Sequence, residues 1–472
     1  MKKLITTALT SALFMSVAPQ AMADDHQLNE HQQRAREIYE EIIGYRTARG
    51  HNMVPTMANS LAKRLIDAGF ASDDVQVVEM DANGDPTALL IARYPGNGSG
   101  KKPIALLGHM DVVDALPEDW ERAPFTLIEE DGYFFGRGTT DNKAGITMLT
   151  NTFIRLKQEG FVPDRDMYIM FSGDEETGMI TTQALAGKYA KEYGIEFALN
   201  SDAGGGGLDE NNQAVGYGIQ AAEKTFVTFE LTATNPGGHS SRPRADNAIY
   251  DLADALKAVQ AYKFPVRSSE LTRSYFATMG QQTPGETGEA MRAFAKNPED
   301  KKAADFLRSK PEYVGTLGTT CVATMLRGGH AENALPQSAT ATVNCRVFPG
   351  ISIESVQQKL QTAVNSPDIQ FKIMGDPTSS PESEVRPEIL AAVTKSIHGR
   401  YPGLTIYPYM TSGGTDGKHF RRNGIPTVAL SGLFSKPSDM FAHGLNERVQ
   451  VKQFYDAVDH WYIVLKEIVG SK

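Results

Sequence analysis

The chain has 472 residues, of which 41% are hydrophobic and 22% charged, with a formal net charge of -10. That composition excludes global disorder, and the length exceeds what one ordinary core accommodates, so two domains are expected. An acidic chain without a long basic run excludes a nucleic-acid partner and offers no attraction to an anionic membrane surface.

The first predicted element stands apart from the rest. Lys2 and Lys3 precede an apolar stretch over residues 4–17, and Ala21 and Ala23 are small residues at the two positions a signal peptidase reads. Residues 1–23 therefore read as a secretory signal cleaved after Ala23. The stretch is too short for a comfortable membrane span, and Pro19 follows it. No later segment is apolar enough to cross a bilayer. The mature protein is expected outside the cytoplasm, secreted or, in a Gram-negative host, periplasmic.

Residues 30–70 read as helices, because Ile38, Ile42 and Ile43, then Leu61, Leu65 and Ile66, follow a helical period. Residues 88–93 and 104–107 are short apolar runs of the kind buried in a mostly parallel sheet. A helix over 145–157 and strands over 167–171 and 197–199 continue the alternation, which argues for an α/β layer fold. Near Gly218 the pattern changes. Residues 225–234 alternate like an antiparallel strand, with Phe226, Phe229 and Leu231 among polar residues. A helix over 248–259, strands over 319–326 and 339–347, and a helix over 353–364 complete a small α+β domain. Residues 263–313 form an extra charged segment inside it. After Asp376 the α/β pattern resumes, with a helix over 388–397, a strand over 427–430 and a last helix over 451–469. The expected division is an α/β domain over 24–217 and 375–472, interrupted by the smaller domain over 218–374. Cys321 and Cys345 fall in strand-like segments, where a disulfide and two buried thiols both remain open.

Several motifs sit at the ends of predicted strands, the place where α/β sheets bind ligands. Gly108-His109-Met110-Asp111 sets a His and an Asp at i, i+2 spacing, so that Asp111 could fix the tautomer of a metal-bound His109. Gly136-Arg137-Gly138-Thr139-Thr140-Asp141-Asn142-Lys143-Ala144-Gly145 is a glycine-punctuated loop leading into a helix; Asp141 there also suits a helix cap. Gly173-Asp174-Glu175-Glu176-Thr177-Gly178 packs three acids after an apolar strand, a costly arrangement unless cations compensate it or the turn is solvated. Asp202 follows another strand, and His443 lies near the end of the chain. With no Cys-x-x-Cys present, metal chemistry must use imidazoles and carboxylates. Two His and three acids from separate strand ends, with one more acid adjacent, suit a dimetal hydrolytic site.

Taken in order, these motifs, with Gly237-Gly238-His239-Ser240-Ser241 and His443-Gly444-Leu445-Asn446-Glu447, resemble the dizinc metallopeptidase family of carboxypeptidase G, zinc aminoacylases, bacterial dipeptidases and carnosinases. The resemblance covers nearly the whole mature chain. It implies a catalytic α/β domain with a mostly parallel sheet, interrupted by an α+β lid or dimerisation domain, and allows a homodimer through that lid. It implies two Zn2+ per subunit, with Mn2+ or Co2+ as substitutes: His109, Asp141 and Asp202 on one, and Asp141, Glu176 and His443 on the other. Asp111 orients His109, Glu175 is the general base, and the Asp141–Asn142 peptide is expected to be cis. His239 matches a lid histidine that stabilises the oxyanion. Asn333 and Arg346 match lid positions that bind substrate, and Gly414 and Thr415 a loop whose N–H groups bind a substrate carboxylate. His330, His398 and His419 carry no assigned role. Aminoacylases and carboxypeptidase G tend to have Glu where this chain has Asp202, which favours short peptides over N-acyl amino acids as substrates. The activity implied is hydrolysis of an amide next to a free carboxylate, with an N-acyl-amino-acid amidohydrolase as the alternative. A periplasmic binding protein would not need Glu175, and a scaffold would need no metal.

Overall fold

The computed structural model describes residues 28–470; the expected signal segment lies outside them. The first helix, Glu30–Ile43, opens on a capping box in which the Asn29 side chain accepts from Gln32 N and the Gln32 side chain accepts from Asn29 N. It buries Ala35, Ile38, Tyr39, Ile42 and Ile43. The second, Val54–Asp67, carries Pro55 in its first turn, where a missing N–H costs nothing. Ile66, expected on its apolar face, is exposed.

A ten-stranded sheet organises the larger part of the chain. Its centre is parallel: Ile104–His109 lies between Met167–Ser172 and Phe197–Asn200, every residue of the three strands is buried, and Thr427–Ala429 extends the parallel set. Pro86–Tyr94 runs antiparallel to both of its neighbours, Val75–Asp81 and Met167–Ser172. Helices cover both faces. Lys143–Gln158, Pro387–Arg400 and Val451–Val469 join the first two helices in the main core, while Leu185, Tyr189 and Phe420 seal the opposite face. This is the mixed α/β architecture with a mainly parallel central sheet.

The large sheet runs on past Gly218, because the strand Ala214–Glu223 belongs to it. The chain then enters a separate antiparallel sheet ordered Thr320–Gly328, Ser338–Val347, Thr225–Thr234, Ile369–Met374. Ala248–Ala261 and Ile353–Val364 supply helical residues to its own core, around Val227, Phe229, Leu231, Val343 and Leu360. Phe226 points to the opposite face and is exposed. Cys321 stands opposite Cys345 on neighbouring strands, and the two form a disulfide. The charged segment folds into helices of its own, Glu270–Gln282, Gly285–Lys296 and Lys301–Arg308, around Phe276, Met291, Phe294 and Leu307. No helix among the described residues is long and apolar enough to cross a membrane.

Candidate functional site

The carboxyl ends of the parallel strands converge on one point. His109 closes the strand Ile104–His109, and its Nε2 lies 2.8 Å from Asp141 Oδ1 and 3.3 Å from Asp202 Oδ1. The second oxygen of Asp141 lies 3.0 Å from His443 Nε2, which in turn lies 2.9 Å from Glu176 Oε1. Asp141 thus presents one oxygen to each of two imidazoles. His109 Nδ1 donates to the Asp111 carbonyl at 3.0 Å. A carbonyl only accepts, so Nδ1 carries a proton, which leaves Nε2 as the ring atom that faces the acids and could meet a cation.

Asp111 does more than orient that ring. Its carboxylate is 3.5 Å from His109 Nδ1 but accepts from the backbone amides of Glu175 and Glu176, each at 3.0 Å. The expected tautomer-fixing contact is therefore made by the Asp111 carbonyl, while the carboxylate holds the acidic turn. No side-chain hydrogen bond ties the Glu175 carboxylate among the described residues.

Burial pushes Glu175 well above the usual carboxylate range, and Asp202, Asp416 and Glu176 add to it against the opposing pull of His109. Burial also raises Glu176, and lifts Asp202 to about 6. Asp141 moves the other way: burial would raise it, but its contacts with His109 and His443 hold it below the usual range. His443 is raised to about 10 by Asp141 and Glu176. Burial disfavours a charge on His109, yet Asp202, Asp111 and Asp141 outweigh that and raise it. Four neighbouring acids raised or contested in this way, with two imidazoles among them, fit divalent cations.

A second set of residues holds the Asp141 loop. Glu447 is fully buried and accepts from the amides of Gly138 at 3.0 Å, Thr140 at 2.7 Å and Asp141 at 3.2 Å. It also accepts from the Thr140 hydroxyl and, at 2.8 Å, from Arg137 Nη1, while Arg137 Nη2 donates to the Gly444 carbonyl at 3.1 Å. One buried ion pair therefore ties the loop before Asp141 to the loop carrying His443. The Asp141–Asn142 peptide is cis, as the resemblance implied. Asn142 then accepts from the Ser201 hydroxyl at 3.0 Å. A side chain at Gly108 would meet Asn142 Oδ1 at 2.8 Å and Ser201 Oγ at 2.9 Å, so the strand end needs glycine there.

The family model for peptidase family M20/M25/M40 matches residues 105–467, which carry every residue of this cluster. The chain belongs to that family. It is a hydrolase of the metallopeptidase class. It is 28% identical, over 80% of its own length and 74% of the other, to a probable carboxypeptidase S-like 2 of Dictyostelium discoideum. It is also 28% identical to the N-fatty-acyl-amino acid synthase/hydrolase PM20D1 of Xenopus tropicalis, over 79% of this chain and 73% of that one. Its fold is shared with the M20 family metallo-carboxypeptidase Sso-CP2 of Sulfolobus solfataricus: TM-score 0.70 and 19% identity, covering 93% of this chain and 99% of that chain.

The peptidase's remaining candidate residues lie on the inserted sheets and on the loop before Asp416, where Gly414 lines the same cavity as Glu175. His239 and Asn333 come together at a separate two-stranded ribbon, where His239 pairs with Ala334 and Ser240 N donates to the Asn333 carbonyl at 3.0 Å. His239 is exposed, and among the described residues its ring bonds only Ser241. Arg346 stands over the Phe226 ring at 4.7 Å and donates to the Ser412 carbonyl at 2.7 Å, linking the small sheet to the loop that holds Gly414. Thr415 departs from expectation. It is buried, and its amide donates to Glu223 Oε2 at 2.6 Å, so it is not free for a substrate carboxylate; Gly414 is exposed and remains available. His398 bonds the Leu404 carbonyl, and burial lowers His419 to about 4, which suits structural roles for both.

Three supporting residues had no assigned role in the sequence. Glu447 and Arg137 lie inside quoted motifs, and that membership was their one signal. Asp416, fully buried, accepts from Ser172 Oγ at 2.7 Å and Thr182 Oγ1 at 2.5 Å and faces the acid cluster from behind. Two cavities flank the centre. One of about 500 Å³ touches Asp141 and Asp202; the other, of about 300 Å³, touches Glu175 and is lined by Lys224, Lys418 and Gly414.

Proposed function

We propose that the protein is an exported peptidase that hydrolyses the amide bond next to a free C-terminal carboxylate, as a dipeptidase or carboxypeptidase, using two zinc ions and Glu175. The carrying observation is Asp141, whose two oxygens face two different imidazoles, together with Glu175, whose carboxylate no side chain among the described residues hydrogen-bonds. In this reading His109, Asp141 and Asp202 hold one ion, and Asp141, Glu176 and His443 the other, with manganese or cobalt as substitutes. When bound, the ions supply Lewis acidity that polarises the scissile carbonyl and acidifies the attacking water.

The chain's own residues do the rest. Glu175 takes the proton of that water and delivers it to the leaving nitrogen, and its backbone is fixed for that role while its carboxylate is left to move. Asp111 fixes the backbone of Glu175 and Glu176 so that base and ligand keep separate positions. Arg346 and the Gly414 amide take the substrate carboxylate, and Asn333 contacts the substrate from the lid. His239 stabilises the oxyanion. Its exposure supports delivery from a second copy of the chain. A homodimer through the lid is supported by the strand Thr320–Gly328, a sheet edge on which Val322, Met325 and Leu326 are exposed. Export rests on the residue 1–23 pattern.

The relative named as an N-fatty-acyl-amino acid synthase/hydrolase supports the second reading, in which the scissile amide belongs to an N-acyl amino acid. The test is the purified protein with dipeptides, blocked peptides and N-acyl amino acids, with and without chelator, together with metal analysis. Glu175→Gln should keep its metal and lose about 10²–10⁴-fold in kcat. Activity within a few-fold of wild type would remove Glu175 from the reaction, and a protein that purifies without metal and ignores chelator would refute the whole reading.

A further inference from the structure

The two cavities beside the centre differ in charge. The one at Glu175 is lined by Lys418, Lys224 and Asp376; Lys224 is committed to the carbonyls of Gly315 and Gly318 at 3.0 and 2.7 Å, and Arg346 stands over the Phe226 wall. Lys418 has no ion-pair partner among the described residues. A substrate carboxylate belongs on that side, so the opposite cavity, at Asp141 and Asp202, receives the group attached to the scissile carbonyl. This assignment rests on the proposed amide hydrolysis.

The opposite cavity is built for bulk without charge. Beyond Asp141 and Asp202, its one acid is Asp439, which is committed to Arg448 at 2.8 Å and to the Tyr133 hydroxyl at 3.0 Å. The segment Gly204–Gly207 forms one wall with no side chains. Tyr407 and Tyr409 form another, and Phe441 and Met440 lie at its rim. The tyrosines need glycine opposite them: a side chain at Gly218 would meet the Tyr409 ring at 2.8 Å, and one at Gly216 the Tyr407 ring at 3.0 Å.

A further wall residue comes from outside the large sheet. Tyr275 sits on the helix Glu270–Gln282 of the inserted segment, and its ring meets Tyr407 edge-on at 5.8 Å. Phe276, the next residue, is fully buried and packs on Phe294 at 5.3 Å, which anchors the helix in the insertion's own core. The insertion thus carries a rigid arm that sets one aromatic ring beside the reacting centre.

We infer that the inserted helical unit is a specificity element: Tyr275, with Tyr407 and Tyr409, selects substrates whose carbonyl-side group is large, apolar and uncharged, aromatic groups above all. Edge-to-face contact with a substrate ring and exclusion of water from the tyrosine wall supply the preference. A charged side chain there would find no free counter-ion and would lose its hydration.

The experiment uses the full mature protein with its metal and a series of substrates sharing one C-terminal residue, with Phe, Leu, Ala, Lys or Glu on the carbonyl side. Wild type should prefer Phe and Leu over Ala, Lys and Glu in kcat/KM by about tenfold or more. Tyr275→Ala should lose about tenfold on the Phe substrate and stay within about twofold on the Ala substrate, while Tyr275→Phe keeps the wild-type order. The Ala substrate reports that the variant is folded. Indifference of wild type to the group, a preference for Lys or Glu, or equal loss on both substrates in Tyr275→Ala would overturn the inference and leave amide hydrolysis standing. Failure to cleave every substrate would refute the hydrolase reading and this inference together.

Discussion

Replacing Glu447 with Gln tests whether the buried clamp builds the metal centre. One carboxylate oxygen receives Arg137 Nη1 and Gly138 N; the other receives the Thr140 amide and hydroxyl and Asp141 N. Gln offers one acceptor oxygen, so its amide nitrogen must face donors on one side or the other. The Arg137 guanidinium, 3% exposed, also loses the charge that offsets its burial. Breaking a buried pair from one side costs about 3–5 kcal/mol, a large part of the roughly 5–15 kcal/mol that holds a domain folded. The amides freed are those of the Asp141 loop, so the defect should reach the metal. Affinity is expected to fall about 10–100-fold, as it does when groups supporting metal ligands are lost. Urea unfolding of the chelator-treated protein reads the first effect, and competition with a chromophoric chelator the second. Arg137→Met, which leaves the loop amides bonded to Glu447, should lose stability with a smaller fall in metal affinity. If Glu447→Gln unfolds at the wild-type urea concentration and binds metal as tightly, the clamp does not position Asp141 and the reasoning fails.

Other outcomes are as specific. Arg346→Ala should raise KM about 10–100-fold for substrates with a free carboxylate and leave their amide-capped counterparts, slower from the start, nearly unchanged; equal loss on both would deny Arg346 the carboxylate. Gly145→Ala would drive a methyl into Ser201 and to 2.7 Å from Asn142 Oδ1, and should cost about 1–3 kcal/mol in denaturant unfolding; a variant as stable as wild type would show that contact to be compliant. His460 is buried, and burial with Arg400 lowers it to about 3 from 6.5, so the folded protein keeps it neutral while the unfolded chain takes a proton below pH 6.5. Stability should therefore fall as pH drops from 6.5 towards 3, and fall less in His460→Gln; parallel curves for the two proteins would exclude His460 as the cause.

The strands that carry the site were legible because they are buried on both faces and read as unbroken apolar runs ending in His, acid or glycine. Other elements were hidden for physical reasons. Val75–Asp81 is a sheet edge with Gln76 and Glu79 exposed, so it lacks an apolar run. Ile406–Thr411 contains Pro408, which argues against a strand, yet it pairs only with Ala214–Glu223 and has no second neighbour to need the missing N–H. Gly205–Leu208 has no apolar run to mark a strand, but a side chain at Gly206 would fall on the Phe434 ring, and the bare backbone is what lets the two strands lie together. Phe226, exposed within an alternating strand, shows that alternation marks two faces without saying which is covered. The site's ligand-type residues were legible as motifs. Glu447 and Arg137 were not, since nothing local distinguishes a buried ion pair from charges in solvent until the fold brings residues 310 apart in sequence into contact.

The clamp also sets a schedule. Glu447 lies 306 residues after Asp141, and Asp141 is neither held by it nor paired with His443 until both have been made. A growing chain already holds His109, the acidic turn and Asp202, yet it has no complete centre to turn on its neighbours. The centre is therefore completed only when both segments have been made and have folded together.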